Sequence, residues 1–200
     1  NYQLRIKRIT DIIFSLILLI ITSPLSLIIS ILIFIEDKGP IFYSQIRTGI
    51  NGKRIKIIKF RSMGIDSEKD GVQWSQKFDP RITNIGRIIR STRLDEIPQL
   101  FCVIKGSMSL IGPRPERPEI EKKFLEELAF YNLRYILKPG ISGWAQVNYR
   151  YGASVLDTQK KLSYDIFYIS HFSIFLDLLI FFKTIKLVLN ARGSQPHGNL

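Results

Sequence analysis

The longest feature in the hydrophobic pattern has no period at all. Residues 12–35, IIFSLILLIITSPLSLIISILIFI, carry no charged side chain. As an ideal helix they measure about 36 Å, enough to span a hydrocarbon core of about 30 Å. Ser23-Pro24 sits near the centre and leaves two apolar halves, each about 16 Å long, or about half a bilayer. Proline donates no hydrogen bond, and its ring crowds the carbonyl four residues back. Thr22, Ser23 and Ser26 offer hydroxyls to the freed carbonyl. Arg5, Lys7 and Arg8 precede the run; Lys38, Arg47, Lys53, Arg54, Lys56, Lys59 and Arg61 follow it. Lys and Arg beside an apolar segment favour the cytoplasmic side. A single crossing would send one basic flank outward, whereas a helix that dips in and returns keeps both inside. Proline kinks also occur in spanning helices, so the pattern leaves both topologies open and the charges favour re-entry.

Period-two and helical patterns follow. Asn51-Gly52 between β-prone stretches predicts a hairpin. Lys56 and Lys59 fall between its apolar positions, where a solvated strand face is the plain reading. Residues 64–80 are polar without period and read as a loop. Ile85, Ile88 and Ile89 repeat at helical spacing, with Arg87 and Arg90 on other faces. Leu100, Phe101, Val103 and Ile104 predict a second helix, with Pro98 in its first turn and an end near Gly106. Pro113, Pro115 and Pro118 make GPRPERP a stiff extended segment. A charged helix over 119–129 comes next, then a Gly/Pro-punctuated loop, LKPGISGWAQVN, and a helix over 157–171. The apolar stretch 172–189 is interrupted by Asp177, Lys183 and Lys186, which fits an amphipathic interfacial helix better than a span.

Charge sharpens this picture. The chain has 200 residues, a formal net charge of +12 and 46% hydrophobic residues. That length supports one domain with a real core. Strong positive charge combined with a long apolar run points to an anionic lipid surface. Nucleic acid is the other usual partner of such charge, but the apolar run argues against it. The run also exceeds a signal-peptide core of about 7–15 residues, and no small-residue cleavage site follows it. Cys102 is the single cysteine and reads as a buried hydrophobe; His171 and His197 are far apart, and no cluster has zinc spacing.

Asp95-Glu96 is the most suggestive pair of carboxylates. Acidic residues are common in a first helical turn, and Thr92-x-x-Asp95 has the shape of a capping box. Their neighbours change the reading: Arg87, Arg90 and Arg93 precede them, and Arg114 follows in the rigid GPRP. A diphosphate needs such cations. A glycosidase fits poorly, because adjacent residues on a helix point about 100° apart and cannot face each other across a sugar. No P-loop and no GxGxxG is present.

These residues carry a family resemblance. The stretches KRITDIIFSLILLIITSPLSLII, IKFRSM, RSTRLDEIPQL, KGSMSLIGPRPERP, KPGISGWAQVN and LDLLIFFKTIKLVL run in order from residue 7 to about residue 190. Together they resemble the catalytic domain of the monotopic phosphoglycosyl transferases, bacterial sugar transferases acting on polyprenol phosphate. GPRPERP and the ending LNARG look like the larger exopolysaccharide-initiating members, whose extra N-terminal membrane helices would suit a chain beginning at Asn1.

The resemblance implies a re-entrant membrane helix broken at Ser23-Pro24 over residues 1–36, and a cytoplasmic interfacial catalytic unit over 37–200. The implied fold is α+β and mostly helical, with a small β-hairpin and amphipathic interfacial helices around a single membrane-surface domain. It implies a catalytic dyad, Asp95 and Glu96, with Asp95 attacking the β-phosphate of a UDP-sugar and releasing UMP. Polyprenol (undecaprenyl) phosphate then takes the sugar phosphate from the enzyme. It implies Mg²⁺, with Glu96 as ligand or phosphate-orienting group and Asp95 sharing the metal. Lys59, Arg61, Arg87 and Arg90 are phosphate-binding candidates. Pro113, Arg114 and Pro115 match the nucleotide-contacting motif. Asp165, in the family-like SYDIFYI, is either a site residue or a surface helix residue. Trp144 is expected to pack rather than stack on uracil. The implied partners are UDP-sugar, polyprenol phosphate and inner-membrane lipid on the cytoplasmic face, with no nucleic acid. Oligomeric state is open, a homo-oligomer included, and so is the sugar, for which loop 64–80 is a guessed determinant. The competing reading is a membrane-anchored basic scaffold that holds anionic lipid.

Overall fold

A computed structural model describes residues 2–67, 69, 71, 79–149 and 154–190. The apolar run lies inside one helix, α1 (Tyr2–Asp37), with Pro24 within it. The expected pair of helices is thus a single helical element by backbone hydrogen bonding. Thr22 and Ser23 donate to the carbonyls of Leu18 and Ile20, which keeps their hydroxyls satisfied on the helix itself.

Both ends of α1 are fastened to the rest of the chain, and its middle is not. Near the start, Lys7 Nζ lies 2.6 Å from Asp177 Oδ2. Arg8 donates to the carbonyls of Val103 (2.5 Å) and Ile104 (2.7 Å). Asp11 accepts from Ser109 Oγ and the Leu110 amide, each at 3.1 Å. Near the end, Ile29 and Ile33 share a core with Phe60 and Ile89. Glu36 accepts from the Asn84 amide at 2.8 Å, and Asp37 is paired with the Arg61 guanidinium. Between these anchors the most apolar window has a mean hydropathy of 2.8 and is only 11% buried. An uncharged surface of that size belongs in lipid, not water.

The hairpin forms as expected from β1 (Phe42–Thr48) and β2 (Arg54–Phe60), paired antiparallel. Asn51 (φ 54°) and Gly52 (φ 72°) are both left-handed, the type I′ geometry that suits strand twist. The register pairs Tyr43 with Lys59, Gln45 with Ile57 and Arg47 with Ile55, so these six residues share one face. Ile57 packs there with Cys102, Val103 and Met108, and Phe60 packs on the opposite face. Cys102 is buried, as its apolar context predicted.

Helix α2 (Asn84–Ser91) follows, with Thr83 as its cap. A Cβ on Gly86 would come within 2.0 Å of the Ser62 carbonyl, so only glycine lets α2 sit this close to the strand end. Helix α3 (Gln99–Lys105) ends at Gly106, which is left-handed. The chain continues through β3 (Ser109–Ile111), α4 (Pro118–Glu127), β4 (Gly140–Ser142), α5 (Trp144–Asn148), α6 (Val155–Ser170) and α7 (Ile174–Leu189).

Two local expectations are corrected. LKPGISGWAQVN is not only loop: β4 pairs in parallel with β3, and α5 starts at Trp144. Thr92 does not cap Asp95; its hydroxyl donates back to the Ile88 carbonyl at 2.8 Å and closes α2. Trp144 stacks on Phe167 with centroids 5.9 Å apart, and Lys183 lies 4.6 Å above its ring, a packing role as expected. On α7, Phe175, Leu179 and Phe182 are exposed, while Ile180 is fully buried and Asp177 is tied to Lys7 and Tyr168. Of the charges that interrupt its apolar pattern, Asp177 and Lys183 thus face the protein, Lys183 donating to Asn148 Oδ1 at 2.6 Å, and Lys186 is exposed. Residues 68, 70, 72–78 of the guessed sugar-determining loop, and LNARG from Ala191 with His197, lie outside the described residues.

Candidate active site

The carboxylate pair owes its position to a sharp turn. After α2 the chain reverses at Arg93, a left-handed non-glycine residue (φ 57°, ψ 17°). A 3₁₀ turn, Leu94–Glu96, leads almost directly into α3. Leu94 and Ile97 sink into the core with Phe60 and Ile89. Anchoring those two turns Asp95 and Glu96 toward the other face, where both are 8% exposed.

The facing wall comes from the hairpin and from Pro113-Arg114-Pro115. A cleft of about 260 Å³ is lined by Arg47, Ile57, Lys59, Glu96, Gln99, Arg114 and Pro115. The proline segment is held by backbone packing. A Cβ on Gly140 would lie 2.1 Å from the Gly112 amide, so β3 and β4 meet in a way only glycines permit. The Gly112 amide donates to Ser142 O (2.9 Å), and Gly140 donates to Pro113 O (3.0 Å). The next carbonyls are met by side chains or strand: Arg134 Nη2 donates to Arg114 O at 2.7 Å, Arg47 Nη1 to Pro115 O at 3.2 Å, and the Thr48 amide to Glu116 O at 3.1 Å. Arg134 is buried and also bonds Asp165 Oδ2 (2.8 Å) and the Tyr131 hydroxyl (2.6 Å).

Charge divides the two carboxylates. Glu96 Oε1 accepts from Arg114 Nη2 at 2.8 Å. Burial alone would raise its pKa, but Arg114, Arg93 and Lys59 outweigh that and hold it well below the usual range. Asp95 goes the other way: burial and the Glu96 charge raise it to about 6, against the pull of Lys59, Arg90 and Arg114. Lys59 is lowered to about 8, chiefly by burial, with Asp95 opposing that drop. Two adjacent carboxylates therefore hold different charge states over the weakly acidic range.

The second Glu96 oxygen, Oε2, is buried without a hydrogen-bond partner. An orphaned carboxylate oxygen beside a second carboxylate suits a divalent cation that takes its remaining ligands from phosphate and water. Among the described residues no group of three or more His, Cys, Asp or Glu gathers to hold a metal by itself. The donors present thus fit Mg²⁺ bound together with a diphosphate, not a self-sufficient metal centre.

Of the predicted site residues, Glu96, Lys59, Arg114 and Pro115 line this cleft, and Asp95 and Arg90 lie beside it, near enough for Asp95 to feel the charges of Lys59, Arg90 and Arg114. Pro113 lies behind it, lining a second small cavity with Thr48, Glu121 and Tyr135. It does not bring Arg61 there: that guanidinium is spent on Asp37 and the Pro40 carbonyl. Arg87 is exposed on α2. Asp165 is neither a cleft residue nor a surface one; it is 2% exposed and acts on Arg134. Arg47, Gln99 and Arg134 were not anticipated as site residues. Arg47 could have been found by period two, since it shares the Lys59 face of the hairpin.

Residues 2–191 match the family model described as bacterial sugar transferase. The chain belongs to that family. Among curated relatives, the UDP-N-acetylgalactosamine-undecaprenyl-phosphate N-acetylgalactosaminephosphotransferase of Aeromonas hydrophila is 46% identical over 190 residues, covering 95% of this chain and 45% of the relative. The UDP-glucose:undecaprenyl-phosphate glucose-1-phosphate transferase of Klebsiella pneumoniae is 42% identical, covering 90% of this chain and 39% of the relative. The sugar transferase EpsL of Bacillus subtilis, uncharacterized, is 36% identical, covering 98% of this chain and 93% of its own length. This bacterial sugar transferase chain spans less than half the length of the first two relatives. The resemblance drawn from its motifs is therefore borne out at the level of family. The relatives named differ in the sugar they are named for.

Proposed function

We propose that this chain transfers a sugar-1-phosphate from a UDP-sugar to polyprenol phosphate, as the first membrane step of exopolysaccharide or other glycoconjugate assembly. One observation carries the reading: two adjacent buried carboxylates, Asp95 and Glu96, sit among Lys59, Arg90 and Arg114, on a chain with a long, exposed apolar helix. A basic scaffold that holds anionic lipid has no use for a buried acid pair.

The reaction proceeds by two displacements at one phosphorus. A carboxylate oxygen of Asp95 attacks the β-phosphorus of the UDP-sugar. The bond from that phosphorus to the bridging oxygen breaks, and UMP leaves with the electron pair. Asp95 now carries the sugar phosphate as an acyl phosphate, which stays activated toward a second attack. An oxygen of the lipid phosphate attacks the same phosphorus, the bond to Asp95 breaks, and the carboxylate is restored. The lipid phosphate is already ionised, so the demand is for charge neutralisation, not for a base. Lys59, Arg90 and Arg114 supply it, with Arg47 on the same wall. Mg²⁺ held by Glu96 and Asp95 would add neutralisation on the diphosphate when bound.

Re-entry of α1 belongs to the same proposal. Its support is that Lys7, Arg8 and Asp11 at one end and Ile33, Glu36 and Asp37 at the other bind the same body of the chain. Re-entry keeps the cleft at the cytoplasmic surface of the inner membrane, where a soluble nucleotide sugar and an embedded lipid meet. Single cysteines placed at Leu4 and at Lys38, both exposed, should react with an impermeant thiol reagent from the same face of oriented vesicles. Reaction from opposite faces rejects re-entry.

The whole reading is tested by incubating detergent-solubilised protein with UDP-sugars and Mg²⁺, measuring UMP and the mass of the protein. A sugar-phosphate adduct and UMP are expected; a scaffold yields neither. The pH profile of UMP release gives a second check. Asp95 must be ionised to attack, so the rate should climb as pH rises through about 6. Lys59 must be charged to hold phosphate, so the rate should fall as pH passes about 8. Lys59→Arg should move only the alkaline limb upward; an unmoved limb removes Lys59 from the mechanism.

A further inference from the structure

Gln99 is the group in the cleft that the proposed chemistry does not use. Its side chain is 4% exposed and lines the cleft together with Glu96, Lys59 and Arg114. Among the described residues it makes no side-chain hydrogen bond, although it carries both a donor pair and an acceptor. Its amide atoms are not among the buried unpartnered ones, so they open on the cleft, where a ligand with hydrogen-bonding groups can reach them.

Its chemistry indicates which part of the ligand. The phosphates are matched by Arg47, Lys59 and Arg114 on the opposite wall. A neutral amide adds little beside three cations, but it suits a neutral group that both donates and accepts: a hydroxyl or an amide. Such groups exist at both ends of a UDP-sugar: the transferred sugar at one, and the ribose and uracil of uridine at the other. Position separates them. The 3₁₀ turn Leu94–Glu96 and α3 (Gln99–Lys105) are joined by Ile97 and Pro98 in right-handed helical conformation, so Gln99 follows Asp95 and Glu96 by about one turn. In-line displacement sends the leaving UMP away from the attacking oxygen of Asp95. The sugar stays attached to the attacked phosphorus and so lies nearer the residues beside the nucleophile.

Resting on the proposed reaction, we infer that Gln99 hydrogen-bonds a hydroxyl or acetamido group of the transferred sugar and is a substrate-selecting residue of this cleft. The other member of the DEIPQ turn thereby reads the sugar while its carboxylates handle the phosphorus.

The experiment compares wild type with Gln99→Leu and Gln99→Glu, using UDP-glucose or UDP-N-acetylgalactosamine, whichever the wild type turns over. Absence of turnover by the wild type with any UDP-sugar defeats the proposed reaction itself, separately from Gln99. Given turnover, Gln99→Leu should raise KM for the UDP-sugar about tenfold, the worth of one neutral hydrogen bond, while inhibition by UMP stays unchanged. Gln99→Leu should also unfold at an equal or higher temperature than wild type, because it breaks no side-chain hydrogen bond among the described residues and adds apolar packing. Gln99→Glu should impair binding more, through a charge beside Glu96. If KM is unchanged, Gln99 binds nothing. If UMP inhibition weakens by the same factor as KM, the amide reads uridine and the sugar assignment falls. A large drop in unfolding temperature for Gln99→Leu would mean the amide is already bonded in the free protein, and the inference is overturned.

Discussion

Asp95→Asn is expected to abolish the sugar-phosphate adduct and to lower transfer on the order of 10³-fold or more, the scale on which nucleophiles and their stabilising partners act. The same change should not unfold the protein. Asp95 keeps its proton to about pH 6 in the fold, above its ordinary value of 3.8. A group shifted upward contributes its full stability below the unfolded value and loses it as pH climbs through the folded one. At neutral pH the charged form is therefore a burden, set against Glu96 in a dry site. Asparagine removes that burden, so the variant should be more stable than wild type by about 1–3 kcal/mol at pH 7.5. The difference should vanish below about pH 4. Dead chemistry on a firmer fold separates a nucleophile from a structural acid. An adduct that persists in the variant assigns the attack to another group, Glu96 first.

The second large effect is expected at a distance from the reacting atoms. Arg134 and Asp165 are 7% and 3% exposed at their side chains and bonded at 2.8 Å. Burial pushes the Asp165 carboxyl up, and Arg134 pulls it back toward the charged state. Arg134→Met removes that pull, strands a charge and leaves the Arg114 carbonyl without its donor. Breaking one side of such a pair costs about 3–5 kcal/mol. Arg134→Met should therefore shift the denaturant midpoint far below that of wild type in detergent or nanodiscs. Adding Asp165→Leu should recover part of the loss, because the stranded charge is gone. Activity should not recover with it, since the Arg114 segment, whose guanidinium holds Glu96, stays loosened. A single variant within 1 kcal/mol of wild type would show the pair to be solvated (about the worth of a surface ion pair).

Family and much of the local structure were legible because they rest on short-range rules. Asn51-Gly52 imposes a type I′ turn wherever it lies between strands. The helical spacing of Ile85 and Ile89 survives because one face must be buried. The Asp95-Glu96 turn was marked by nearby arginines. The short parallel pairing of β3 and β4 was not legible, since three-residue strands show no period and their contact depends on glycines 28 residues apart, Gly112 and Gly140.

What the chain alone determined is where charge and apolar surface must lie: an uncharged run too greasy for water, basic flanks on both sides of it, and an acid pair in a basic stretch. What only tertiary structure decided is which of those charges meet. Arg61 and Asp165 looked available and are bound to Asp37 and Arg134, whereas Arg47 and Gln99 looked ordinary and line the cleft. The reason is physical: periodicity fixes the face a side chain leaves from, but its partner, and so its desolvation and its pKa, are fixed by residues tens of positions away.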